Sequence, residues 1–127
     1  MRSEAAGKRI QLMGMQDRTT VLETMRQSVG LVFPSECFES FPMVYAEAMA
    51  VGLPVLAWKP NAVSSLVQRQ GTGVAISWAN DLGVVLDRVT EHFASLRTRC
   101  RLAFETDLSE PAYVRRAESL YSELVGR

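Results

Sequence analysis

Metal and disulfide chemistry have little to work with in this chain. Its 127 residues include one histidine, His92, and two cysteines, Cys37 and Cys100. Two thiols cannot build a disulfide framework, and no His/Cys cluster or CxxC pair has the spacing of a metal site. His92 has no companion ligands and reads as a surface or satisfied residue; Cys37 reads as a small packing residue. Charge of one sign is also missing, since 14 Lys/Arg stand against 14 Asp/Glu. That balance indicates neither nucleic acid nor a general electrostatic hold on membrane. No stretch approaches the ~20 apolar residues of a membrane span. The opening MRSEAAGKRI lacks the apolar core of a signal peptide. The expectation is a soluble, cytoplasmic protein. No Walker loop, Ser-His-Asp pattern, internal repeat or low-complexity segment is legible. With 47% hydrophobic residues, the chain can bury a core, and its length predicts a single domain over residues 1–127.

The most informative stretch runs from Gly30 to Trp58, GLVFPSECFESFPMVYAEAMAVGLPVLAW. Residues 30–33 form a short apolar run between Gly and Pro, which suits a buried strand. Residues 34–41 are a turn-rich loop. A helix is predicted over 42–51, with Pro42 in the first turn, where a missing N–H leaves nothing unsatisfied. Ser40 or Phe41 takes the cap, Ser40 having the better capping side chain. Gly52 supplies the left-handed residue past the helix end, Pro54 blocks continuation, and residues 54–58 form the next strand.

The predicted helix is apolar almost all round, so it belongs in the interior. Its one charge, Glu47, then needs donors: backbone groups, an Arg or ligand hydroxyls. Glu39 lies eight positions earlier in the loop. Between the two carboxylates the helix N-terminus offers backbone N–H groups and the positive end of a dipole, a natural anion site. Carboxylates for hydroxyls beside N–H donors for phosphate suit a nucleotide sugar. On spacing alone, Glu39 also fits a solvated loop residue and Glu47 a carboxylate capping nearby backbone. Paired carboxylates serve glycosidases as well, although the Gly-x-Pro-Val strand entry and the buried helix favour an α/β nucleotide-binding setting.

Elsewhere, strand and helix alternate. Residues 10–13 (IQLM) predict a strand closed by Gly14, and Asp17 caps a helix over 18–28. After Trp58, a turn at 59–61 leads into a short helix over 62–68. Gln70-Gly71-Thr72-Gly73 is a turn, and residues 74–76 form a last strand. Leu82, Val85, Leu86, Val89 and Phe93 predict an amphipathic helix. A second helix follows over 95–104, and a third, capped by Ser109, carries Val114, Ala117, Leu120, Tyr121 and Leu124 on one face. Arg97, Arg99, Arg101, Arg115 and Arg116 make this end basic, read as a solvated helix face in preference to a phosphate site. The alternation predicts an α/β, Rossmann-like parallel sheet of about four strands, with flanking helices and a helical C-terminal end.

The run Pro34-Ser35-Glu36-Cys37-Phe38-Glu39-Ser40-Phe41-Pro42, followed by Glu47-Ala48-Met49-Ala50-Val51-Gly52-Leu53-Pro54-Val55, resembles the signature of retaining GT-B glycosyltransferases of family 4. That signature has two Glu with seven residues between them, which Glu39 and Glu47 match along with the flanking residues. The similarity extends from about residue 10 to 121. It implies that Glu39 faces the donor sugar in the catalytic position and that Glu47 binds the ribose hydroxyls. Backbone groups of Ser40, Phe41 and Met43 would approach sugar and diphosphate, and Gly14 would allow close backbone approach where the family seats the base and part of the diphosphate. Ser64 and Ser65 stand where family members often carry an acidic residue, so donor specificity does not carry over.

The resemblance also implies a partial C-terminal donor-binding domain. The unit carrying the family's basic diphosphate clamp is not matched, Lys8 and Arg9 being wrongly placed for it, and the N-terminal acceptor domain is not matched either. The expected activity is therefore conditional: no cofactor and no metal, a UDP- or GDP-hexose as donor, and no turnover by this chain alone. Expected partners are the nucleotide sugar, a complementary N-terminal acceptor domain and further copies of the chain through exposed apolar surface. A full-length enzyme could sit peripherally at the inner membrane. The alternative is a non-catalytic nucleotide-sugar-binding or assembly module.

Overall fold

The computed structural model describes residues 10–37 and 42–126. Three parallel strands, β1 (Leu31–Phe33), β2 (Val55–Trp58) and β3 (Gly73–Ile76), form one sheet in the order β1-β2-β3. Leu31 lies opposite Val55, and Val55 opposite Gly73. Helix α1 (Arg18–Gln27) precedes the sheet, α2 (Met43–Ala50) connects β1 to β2, and α3 (Ala62–Gln70) connects β2 to β3. Helix α4 (Leu82–Ala103), a π-helical turn at Phe104–Leu108 and α5 (Glu110–Val125) complete the fold.

The helix boundaries follow local chemistry. The Asp17 carboxylate accepts from the Thr20 backbone N–H and hydroxyl, both at 2.9 Å, and caps α1. These bonds, the backbone one first, hold the Asp17 carboxyl below its ordinary value. Asn61 and Ser64 cap α3 reciprocally. Pro42 lies one position earlier than expected, at the N-cap of α2 rather than inside its first turn. The expected cap, Ser40 or Phe41, lies outside the described residues. Gly52 has the expected left-handed φ of 72°, and its N–H bonds the Met49 carbonyl.

The core sits between the sheet and helices α2, α3 and α4. Every residue of β2 is buried, as expected for the central strand of a parallel sheet. Tyr45, Ala48 and Met49 from α2, Val63 and Val67 from α3, and Phe93, Leu96 and Cys100 from α4 close over it. At the carboxyl end of β2 the Trp58 ring meets Trp78, with centroids 5.1 Å apart and planes at 42°. Trp58 is 5% exposed and Trp78 60%. The Trp58 indole Nε1 is buried with no hydrogen-bond partner among the described residues.

Four expectations need correction. Residues 10–13 are not a strand: Ile10, Leu12 and Met13 are 45–58% exposed and pair with nothing among the described residues. A short apolar run has the composition of a strand, but it needs a neighbour on which to form a ladder. The two helices expected over 82–104 are one. Ser95 does not start a new helix but bonds back to the His92 carbonyl at 2.7 Å, within the continuing one. Leu82 and Leu86, placed on the core face, are 38% and 39% exposed, and the buried stripe starts further along at Val89. Cys37, read as a packing residue, is exposed.

The arginine-rich end also differs from the solvated face expected. Arg97 donates to the carbonyls of Ser28 at 3.0 Å and Arg26 at 3.1 Å, where α1 ends. Arg101 donates to the Ala50 carbonyl, the last residue of α2. Arg116 donates to the Asp107 carbonyl. Terminal helix carbonyls lack intrahelical partners, and a guanidinium there also meets the negative end of the dipole. Arg97 and Arg101 of α4 therefore tie down two earlier helices.

Candidate functional site

The site is built on α2. Tyr45, Ala46, Ala48 and Met49 are buried, with Met43 exposed at the first turn and Glu47 part-buried on the side facing α1. No acidic residue occupies the first turn, so the positive end of the helix keeps its attraction for an anion.

Sequence required a donor for Glu47, and the structure supplies an arginine. The Arg18 Nε lies 3.6 Å from the Glu47 Oε1, with side-chain exposures of 77% and 26%. This single contact at the surface is weak, within about 0–1 kcal/mol. A ligand offering two hydroxyls could replace it at small cost. Arg18 is the first residue of α1, directly after the capping Asp17. Sequence reasoning left the donor's identity open, because only folding places residue 18 beside residue 47. Glu47 and Arg18 line a cavity of about 230 Å³ between α1 and α2, with Met43, Leu22 and Phe104 in its wall.

The remaining site residues divide three ways. Glu39, Ser40 and Phe41 lie outside the described residues. Met43 and Glu47 share the α1–α2 cavity. Gly14 has a left-handed φ of 66°, and an added Cβ would meet no atom within 4 Å. It lines a different cavity of about 330 Å³, beside Val21, Met25 and Leu31. The structure thus brings Glu47 and Met43 together and leaves Gly14 apart from them. His92 is exposed, as expected, and the described residues hold no group of three or more potential metal ligands.

On the other side of α2 lies a polar chain that sequence reading missed. The Tyr45 hydroxyl donates to the Gln70 Oε1 at 2.6 Å and so must accept from the Thr72 hydroxyl at 2.7 Å. The Gln70 amide in turn donates to the Asp107 Oδ2 at 3.1 Å. Burial pushes the Tyr45 phenol up to about 12, outweighing the opposing effect of the Thr72 bond. Burial likewise pushes the Cys100 thiol up to about 11. One signal was present in the sequence: a tyrosine in an apolar helix must find a partner for its hydroxyl. Its partners, 25 and 27 positions away, could not be read there. This chain borders a larger cavity of about 820 Å³ between α2, α3 and the start of α5.

The family model described as glycosyl transferases group 1 matches residues 1–83, about two thirds of the chain, from its start to the beginning of α4. No curated protein matches the chain. No helix among the described residues is long and apolar enough to cross a membrane.

Proposed function

Because the chain belongs to the glycosyl transferases of group 1, we propose that α2 and the loop before it form the donor side of a retaining transfer site of the GT-B, family 4 type. The single domain binds a nucleoside diphosphate sugar, a UDP- or GDP-hexose. Glu47 carries the reading. It is the one charge on an otherwise apolar helix, it is only partly exposed, and a weak contact with Arg18 is its one ion pair among the described residues. A ribose diol can give such a carboxylate two charge-assisted hydrogen bonds. Backbone N–H groups of Ser40, Phe41 and Met43 approach the sugar and diphosphate, and Glu39 faces the sugar carbon that is attacked. Gly14 offers its backbone to the base and adjoining phosphate. As the bond to the leaving diphosphate breaks, charge accumulates on its oxygens, where helix N–H groups stabilise it.

Transfer also needs a bound acceptor. We therefore place this chain as the donor-binding part of the reaction, which takes place in the cytoplasm once an acceptor-binding domain completes the site. The 127 residues alone bind donor without turning it over. A second reading, a non-catalytic binding or assembly module, draws on the exposed apolar side chains of α5, Tyr121 at 68% and Leu124 at 58% among them. Calorimetry with UDP, GDP and their hexose conjugates tests the first reading. Glu47→Ala is expected to weaken nucleotide binding at least tenfold, the loss of one or two hydrogen bonds to a charged group at ~1.5–3 kcal/mol each. Equal affinity in both proteins would remove Glu47 from the site. Donor binding with no transfer, even beside an acceptor-binding domain, would favour the second reading.

A further inference from the structure

We propose that Arg69 and Arg99 form a binding site for a phosphoryl dianion, either inorganic phosphate or a small phosphate monoester, at the end of the sheet away from Glu47. Topology sets the location. β2 ends at Trp58, and α3 runs back so that β3 can start at Gly73 parallel to β2. The last turn of α3, which contains Arg69, therefore lies at the amino end of the strands. α1 likewise runs back to the amino end of β1, which leaves its first residue, Arg18, and the Glu47 beside it at the carboxyl end. Arg69 and Arg99 line a cavity of about 390 Å³, with Leu102 and Ala103 as its apolar part. It has no lining residue in common with the cavity of Glu47.

The arginines of this end are not equivalent. Arg97, Arg101 and Arg116 each donate to a backbone carbonyl. Arg69 and Arg99 make no hydrogen bond through their side chains and no ion pair among the described residues. A guanidinium carries five N–H donors and no acceptor, so this cavity is rich in donors that no protein group takes. Its one carboxylate is already engaged. The Asp107 Oδ2 accepts from the Gln70 amide at 3.1 Å, and the Oδ1 lies 4.0 Å from the Arg116 Nη1. The lining therefore keeps a positive surplus.

Arg99 is also held in place. It lies over Gly71, the left-handed residue that ends α3 with φ 65°, so closely that an added Cβ there would stand 2.6 Å from its Nη1. Only a residue without a side chain lets the guanidinium rest on that backbone. The chemistry selects the ligand class. A cation would add to the surplus, and a neutral ligand would leave it uncompensated. A phosphoryl group brings a charge near −2 and three terminal oxygens, enough to accept from both guanidiniums at once in charge-assisted hydrogen bonds. Leu102 and Ala103 leave an apolar surface for the organic part of an ester.

The test is backbone amide NMR on the full chain, titrated with inorganic phosphate and with phenyl phosphate at constant ionic strength. Both are expected to move the amides of Gly71, Arg99 and Thr106 along a saturating curve. Binding of phenyl phosphate should tighten as pH rises past ~6, where its second proton leaves. Arg69→Gln and Arg99→Gln should each weaken binding about tenfold, and because both arginines are exposed the variants should remain folded. Arg115→Gln, at an exposed arginine of α5 outside the lining, should bind as the wild type does. Tighter binding of phenyl phosphate than of phosphate would identify the occupant as an organic ester, and equal affinities would identify it as free phosphate; either supports the site. The absence of a saturable shift, or unchanged affinity in Arg69→Gln and Arg99→Gln, overturns it. So does an equal loss in Arg115→Gln, which would assign the binding to the general field of the surface. Failure of Glu47→Ala to alter nucleotide binding would sink the donor reading and leave this one standing.

Discussion

Helix α5 is twice the length of α2, 16 residues against 8, yet α2 buries four side chains and α5 one, Ala112. In α2 the apolar side chains go all round, so no orientation leaves it comfortable in water, and the fold encloses it. In α5 they form a stripe, and Tyr113, Val114, Leu120, Tyr121 and Leu124 on it are 43–68% exposed. An all-apolar helix therefore specifies its own surroundings. A striped one records only that some surface must be covered, and its sequence does not name that surface.

Substitutions should separate the two helices by an order of magnitude in stability. Met49→Ala removes a fully buried side chain from α2 and is expected to cost about 2–5 kcal/mol in a denaturant titration. A cost below about 1 kcal/mol would mean that α2 is less tightly enclosed than the structure shows. Tyr45→Phe leaves the buried Thr72 hydroxyl and the Gln70 amide each short of a partner, for about 1–3 kcal/mol.

This second substitution also has a pH signature. The folded phenol titrates near 12 against an ordinary 10, so the folded state holds its proton more tightly. That contribution is complete below pH 10 and is lost as pH rises towards 12. Cys100, raised from 9 to about 11, behaves the same way from pH 9 upward. Wild-type stability should fall above pH 9, and Tyr45→Phe should make the fall above pH 10 smaller, leaving the part that belongs to Cys100. A fall of the same size in the variant would assign the alkaline loss to other groups. The smallest effect belongs to α5: Leu120→Ala should change stability by no more than about 0.5 kcal/mol. A larger loss, growing with protein concentration, would show that the stripe is covered by a second copy.

The same contrast accounts for what could be read in advance. β2 was legible because a continuous apolar run between Pro54 and Lys59 can only be a buried strand or a buried helix, and its length favours the strand. The end of α2 was legible because Gly52 and Pro54 act locally. Residues 10–13 misled because pairing is not a property of the paired segment alone. The arginines of α4 misled for a related reason: Arg97 bonds carbonyls 69 and 71 positions earlier, and nothing in their local pattern distinguishes such a tie from a solvated face. At the site, the carboxylate at 47 and its need for a donor could be derived, whereas Arg18 as that donor required the fold. Glu39, Ser40 and Phe41 rest on the signature alone.

The two tryptophans in contact, with their rings tilted by 42°, give the molecule an optical handle. They are the only tryptophans in the chain, and both sit at the carboxyl end of the sheet, the end at which open α/β folds bind their ligands. Indole emission is therefore confined to one small region of the protein. With Trp58 5% and Trp78 60% exposed, a charged quencher in solution reaches one ring and spares the other. Emission separates into a shielded and an accessible part, and a molecule settling on that edge will change the accessible part first.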